Sequence, residues 1–167
     1  MQVIRKIDNA MNNVYLYISV VLLAVVIVAT GVQVFTRYIM NASLSGTDEV
    51  ARFAFVWMSM MGASLCVRQY GHAVVSILND SLKKHFKAQK MHDIIIQLLM
   101  LVAALFLLVY GIELVISTHG QTSAGLGIPM SFTYACIPFG AFGMVINGIV
   151  NILDNIAGIV KGSEIDE

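Results

Sequence analysis

Four histidines, His72, His85, His92 and His119, are the residues best suited to holding a metal or a haem. A bis-histidine haem centre needs two ring nitrogens that face each other inside a helix bundle. Each of these histidines lies at the edge of an apolar stretch rather than in its middle, so interfacial structural roles are expected. A proton- or cation-coupled carrier needs a carboxylate or a broken helix near the bilayer midplane. No acidic residue lies mid-stretch, and Glu113 falls about one turn from an end, where snorkelling or pairing accounts for it. Cys66 and Cys136 sit in apolar runs and imply no disulfide framework. There is no phosphate loop, no Gly-rich dinucleotide turn and no CxxC. The residues therefore predict no catalytic set, no cofactor and no metal, and the chain is not expected to be an enzyme.

The charges that remain concentrate around one block, Asp48 to His72, which reads DEVARFAFVWMSMMGASLCVRQYGH. Fifteen residues without formal charge separate Arg52 from Arg68. A bilayer crossing needs about twenty residues, so the flanking charges must lie inside the helix, near its two interfaces. Asp48 and Arg52 stand four apart in the favourable acid-before-base order. Asp48, Glu49 and Arg52 are expected to cluster near the outer interface with Arg37, while Arg68 and His72 anchor the inner end to lipid phosphate or a partner. Thr47 is positioned to cap the helix. Ser59, Gly62, Ala63 and Cys66 form a small-residue face of the kind that lets helices approach closely. Trp57 lies mid-span, away from the usual interfacial belt, either in a helix interface or against lipid.

The elements that carry these residues follow from hydropathy. The chain has 167 residues, 58% hydrophobic and only 12% charged, which points to a membrane protein. Its zero formal net charge gives no reason to expect nucleic acid. The fold class read from the pattern is an all-α integral membrane protein, one domain over 1–167. Its spans are expected at about 14–36, 47–69, 93–116 and 130–157. Residues 1–13 read as a short interfacial helix, and the apolar run after them is too long for a cleaved signal peptide. Residues 73–90 alternate apolar and charged at helical spacing and read as an amphipathic helix on the cytoplasmic membrane surface. Pro129 suits the first turn of the last helix, and Pro138 should kink it. Gly140, Gly143, Asn147, Asn151 and Asp154 recur at three- and four-residue intervals as a small, polar seam facing protein. With the N-terminus inside, eight Lys and Arg fall on the cytoplasmic side and two outside, so both termini are expected in the cytoplasm. The loop 117–130 is then an outer, polar connector without Lys or Arg.

These motifs, taken in order, resemble a known family. Arg37-Tyr38 closes the first span. The block from Asp48 follows with its acidic pair, Arg52, Trp57, Gly62-Ala63, Arg68 and His72. Then come Leu126-Gly127-Ile128-Pro129-Met130, Tyr134 and Ile137-Pro138-Phe139-Gly140. The chain resembles the DctQ-like small membrane subunit of tripartite ATP-independent periplasmic (TRAP) transporters, of the sialic-acid type. It departs from the family pattern at Asp48, Ala124, Gly125 and Ser131. The resemblance implies a helper in the bacterial inner membrane. Its partners would be a large DctM-like permease, a periplasmic substrate-binding protein and membrane lipid. The permease carries a carboxylate solute, a sialic acid or C4-dicarboxylate, with sodium, while the small subunit enlarges the fixed scaffold. On this reading Arg37, Asp48, Glu49, Arg52, Trp57, Arg68, His72, Pro129, Pro138 and Asn147 are the residues expected to meet partner, scaffold or lipid. Two other readings of the same pattern are a stand-alone four-helix carrier, which would want an acid in its first span, and a haem-bearing membrane anchor, which would be coloured.

Overall fold

The computed structural model describes residues 2–41, 45–70 and 86–163. These form four long helices and one short one: α1 (Gln2–Tyr38), α2 (Ser45–Tyr70), α3 (Phe86–Ser117), α4 (Met130–Tyr134) and α5 (Cys136–Ser163). Four segments have the length and hydropathy of a membrane crossing: Asp8–Tyr38, Gly46–Arg68, Ile94–Ser117 and Met130–Ile156. His72 and His85 lie outside the described residues, as does most of the expected amphipathic helix. Phe86 and the four residues after it are the opening turn of α3.

The expectation of a separate interfacial helix at 1–13 is corrected. Residues from Gln2 onward continue into the span as one 37-residue helix. A helix of that length reaches about 55 Å, well beyond the hydrocarbon core. It does not bend along the surface because its polar residues have partners in the protein. Asp8 and Asn12, one turn apart, are each only 3% exposed.

The last span also differs in detail from the expected kink. Pro138 has no N–H for the carbonyl of Tyr134, and the helix is interrupted at Ala135. It restarts at Cys136, which leaves Pro138 in a first turn, where its N–H is not needed. Pro129 caps the preceding short helix at φ −57°. Gly111 of α3 crosses at this break. A Cβ there would come within 2.9 Å of Ile137 Cγ2 and 3.0 Å of Pro138 Cδ.

Packing places the long helices in a row, α1–α2–α5–α3, rather than a closed ring. α5 is the most buried span and α1 the most exposed. The outward faces of α1 and α3 carry large aliphatic and aromatic side chains, including Val21, Ile27, Leu99 and Phe106. The buried set is instead rich in polar groups: Asp8, Asn12, Ser64, Gln97, Asn147 and Asn155. Lipid is as apolar as leucine, so apolar burial gives helices little reason to associate. Hydrogen bonds and close backbone approach supply that reason.

Candidate functional site

The buried polar groups form ties between particular helices. Asn147, with no exposed surface, is the hub. Its amide donates to Asn12 Oδ1 at 3.0 Å, to the Ser64 carbonyl at 2.8 Å and to Ser64 Oγ at 3.2 Å. Its own oxygen accepts from Asn12 Nδ2 at 2.8 Å. One side chain of α5 thus joins α1 and α2. Asn12 also donates to Asp8 Oδ1 at 2.9 Å, and Arg68 pairs with Asp8 at 3.4 Å and bonds Asn9. Asn151 donates to the Val67 carbonyl at 2.9 Å, and Asn155 to Gln97 Oε1 at 3.1 Å, which fastens α5 to α3. Tyr15 donates to the Phe139 carbonyl at 2.7 Å.

Two glycines let α5 approach. A Cβ on Gly143 would sit 2.3 Å from Ser64 Oγ and 2.5 Å from Tyr15 Cε2; one on Gly140 would sit 2.8 Å from Met60. The seam expected on α5 therefore faces protein from Gly140 to Asn151, while Asp154 is exposed. The small face expected on α2 is not the one α5 uses. Gly62 has nothing within 4 Å of its Cβ position, and Cys66 is exposed. α5 meets Met60 and Ser64 instead, because the glycines it needs are its own.

At the opposite end the charge cluster divides in two. Asp48 pairs with Arg52 at 2.6 Å, with side chains 47% and 66% exposed, and accepts from Gln33 of α1 at 3.1 Å. Glu49 turns away from them. Its carboxylate accepts the backbone N–H of Gly125 and of Leu126, each at 2.9 Å, with the Ser123 hydroxyl beside it. Arg37 is exposed in the last turn of α1, and the described contacts do not bring it into either group. Thr47 is not the first residue of its helix, which begins at Ser45.

Glu49 closes a loop that is itself hydrogen-bonded. Ser123 N–H donates to the Ile128 carbonyl at 2.9 Å, Met130 N–H to the Gln121 carbonyl at 2.8 Å, and Ile128 N–H to Ser123 Oγ at 3.2 Å. Gly127 takes φ +66°, which its lack of a Cβ permits. A Cβ on Gly125 would fall 3.1 to 3.3 Å from the Glu49 carboxyl. Beneath the loop, Leu126 and Ile128 roof a groove of about 440 Å³ lined only by apolar side chains, among them Ile18, Phe53 and Trp57. Trp57 is half-buried between helices, and one side of it lines this groove. Its ring stands 5.5 Å from Phe132 and 6.1 Å from Phe139.

Among the described residues, no three acids, histidines or cysteines come together as a metal site. Asp8, Asn12, Gln97, Asn155 and Tyr15 were missed as structural residues by the sequence reading. The usable signal was the cost of a polar side chain near an apolar run, which makes such residues face protein.

Four membrane-length helices, tied internally by amides and closed at one end by a clamped loop, define a small multi-pass helical membrane protein. The family model for tripartite ATP-independent periplasmic transporters, DctQ component, matches residues 25–158. The chain belongs to this family, the small permease subunits of TRAP transporters, multi-pass proteins of the inner membrane. It is 24% identical to the sialic acid TRAP transporter small permease protein SiaQ of Vibrio cholerae, over 99% of this chain and 94% of that one. It is 25% identical to a putative TRAP transporter small permease protein of Haemophilus influenzae, over 80% of this chain and 78% of that one. It is 30% identical to the isethionate TRAP transporter permease protein DctMQ of Oleidesulfovibrio alaskensis, over 69% of this chain but 18% of that longer protein.

Proposed function

We propose that this chain is a fixed scaffold for a large DctM-like permease in sodium-coupled uptake of a carboxylate solute, of the sialic-acid or C4-dicarboxylate type. A periplasmic binding protein delivers the solute, and both termini are cytoplasmic. The observation that carries the pairing is the match to a short part of a much longer protein named DctMQ. The sialic-acid option rests on the near full-length similarity to SiaQ. The orientation rests on the eight-to-two distribution of Lys and Arg.

The internal geometry suits that role. Its buried amides bond to one another and to backbone carbonyls, and the groove under the outer loop is wholly apolar. A scaffold needs rigid spans and packing faces rather than groups that bind solute. Arg37, Arg52, Arg68, His72 and Pro129 remain proposed contacts with partner or lipid. Asn147 and Pro138 act inside the subunit, on Asn12 and Ser64 and on Gly111 respectively.

The test is co-purification followed by reconstitution. A large permease should accompany the tagged chain out of its native membrane. Proteoliposomes containing both chains should take up radiolabelled N-acetylneuraminate or succinate only with binding protein outside and an inward sodium gradient. Uptake by this chain alone would overturn the scaffold reading in favour of a carrier.

A further inference from the structure

We propose that the outward face of α3 seats a helix of the large permease, and that Glu113 pairs there with a lysine or arginine of that helix. This rests on the partnership given under the proposed function, and not on which end of the chain is outside. The row α1–α2–α5–α3 is open at both ends, and the two ends differ. Between Asp8 and Arg37, α1 carries no charged residue, and Val21, Ile27 and Val28 are among its outward side chains. That face suits lipid tails. α3 instead carries Glu113, four residues inside the end of its span at Ser117, a depth of about 6 Å. Glu113 is exposed, and no hydrogen bond or ion pair among the described residues reaches it. It stands on the side of α3 opposite Ala104 and Gly111, which are buried. An acid in a membrane span is costly against lipid, and such residues pair or face protein.

The surface one turn deeper is shaped for a helix. Val102, Leu105, Phe106 and Val109, with Tyr110, line a groove of about 290 Å³ on α3. The first four stand at i, i+3, i+4 and i+7, the spacing of a hole into which a facing helix sets one side chain. Phe106 and Tyr110 stack with ring centroids 6.0 Å apart and planes within 2°, which gives the groove a flat wall. Val109 and Tyr110 lie one turn from Glu113, so a helix seated in the hole brings its next turn level with the carboxylate. The groove calls for an apolar helix and Glu113 for a cation on it. A phospholipid filling the same groove would set its phosphate, the headgroup charge nearest its tails, against the carboxylate.

The test places photoreactive p-benzoylphenylalanine at Val102 or Val109 of α3, and at Val21 or Val28 of α1, in the tagged chain in its native membrane. The α3 probes should cross-link to the permease, identified by mass spectrometry, and the α1 probes should not. Glu113→Gln should lower the permease recovered per tagged chain about tenfold after extended washing, and Glu113→Lys should lower it further. The unfolding midpoint of the isolated subunit should stay unchanged in Glu113→Gln, because Glu113 has no partner within it. Changing the lysine or arginine on the cross-linked permease helix to glutamate should restore recovery of the Glu113→Lys chain. Permease captured from α1 and not from α3, or wild-type recovery with both Glu113 variants, would overturn the proposal. Cross-links from α3 to phospholipid alone would also overturn it, making this face a lipid surface. A wild-type chain that brings down no permease would fail the proposed function itself.

Discussion

Asn147→Leu asks how much a single amide contributes to holding three helices together. Leucine keeps much of the volume but offers no hydrogen bond. The change removes the paired bonds with Asn12 and the bonds to Ser64, so α1 and α2 each lose a tie to α5. Interhelical hydrogen bonds in membranes average about 0.6 kcal/mol, so these four bonds amount to roughly 2 kcal/mol. Asn12 Nδ2 keeps its bonds to Asp8, but its oxygen becomes a buried acceptor without this partner. Such a group costs about 1–3 kcal/mol. The expected loss is about 3–5 kcal/mol, measured by reversible SDS unfolding of the isolated subunit in mixed micelles. Trp57, the single tryptophan, reports the transition. The double variant Asn12→Leu/Asn147→Leu should lose clearly less than the sum of its parts, because the orphaned acceptor is gone. An Asn147→Leu subunit within about 0.5 kcal/mol of wild type would refute the argument that amides hold this row together.

Other substitutions separate close packing and pairing from exposure. Gly143→Ala should destabilise by about 1–3 kcal/mol by forcing a methyl against Ser64 and Tyr15, whereas Gly62→Ala should be neutral or slightly stabilising in the isolated subunit. Arg68→Met leaves Asp8, whose side chain is 4% exposed, without its cation. It should destabilise by about 2–3 kcal/mol, and adding Asp8→Asn should recover much of that in the same unfolding assay. Arg52→Ala breaks a pair that is largely exposed on both sides, so the isolated subunit should unfold within about 0.5 kcal/mol of wild type. A loss of permease co-purification in that variant would then trace to a contact made outside the subunit.

What could be read from the sequence was whatever has a local period. The four apolar stretches correspond to the four long helices, since length and hydropathy alone define a crossing. Asp48 and Arg52 were legible because four residues is one helical turn. The Gly140–Asn151 seam was legible for the same reason. The partners of that seam were not, because Asn12 and Asn147 stand 135 residues apart and nothing local couples them. The polar start of α1 was read as a surface helix because polar residues before an apolar run suit the interface equally well, and the buried partners of Asp8 and Asn12 lie far along the chain. Glu49 was grouped with Asp48 on charge. The loop amides that hold it carry no side-chain signature beyond two glycines. On α2 the expected small face and the face that α5 uses differ, because a close approach needs glycine on only one of two helices.

The order α1–α2–α5–α3 bears on how the molecule is made. A ribosome delivers these helices to the membrane from first to last, yet among the described residues α3 meets the other helices almost entirely through α4 and α5. Among the described residues, the contacts that join α3 to the α1–α2 pair run through the final helix. Gln97 must wait in the membrane for Asn155, and Ser64 for Asn147. The closing helix is thus the keystone of biogenesis. A chain truncated before Cys136 would expose unmet amides and hydroxyls to lipid, a mark by which membrane quality control can recognise an unfinished subunit.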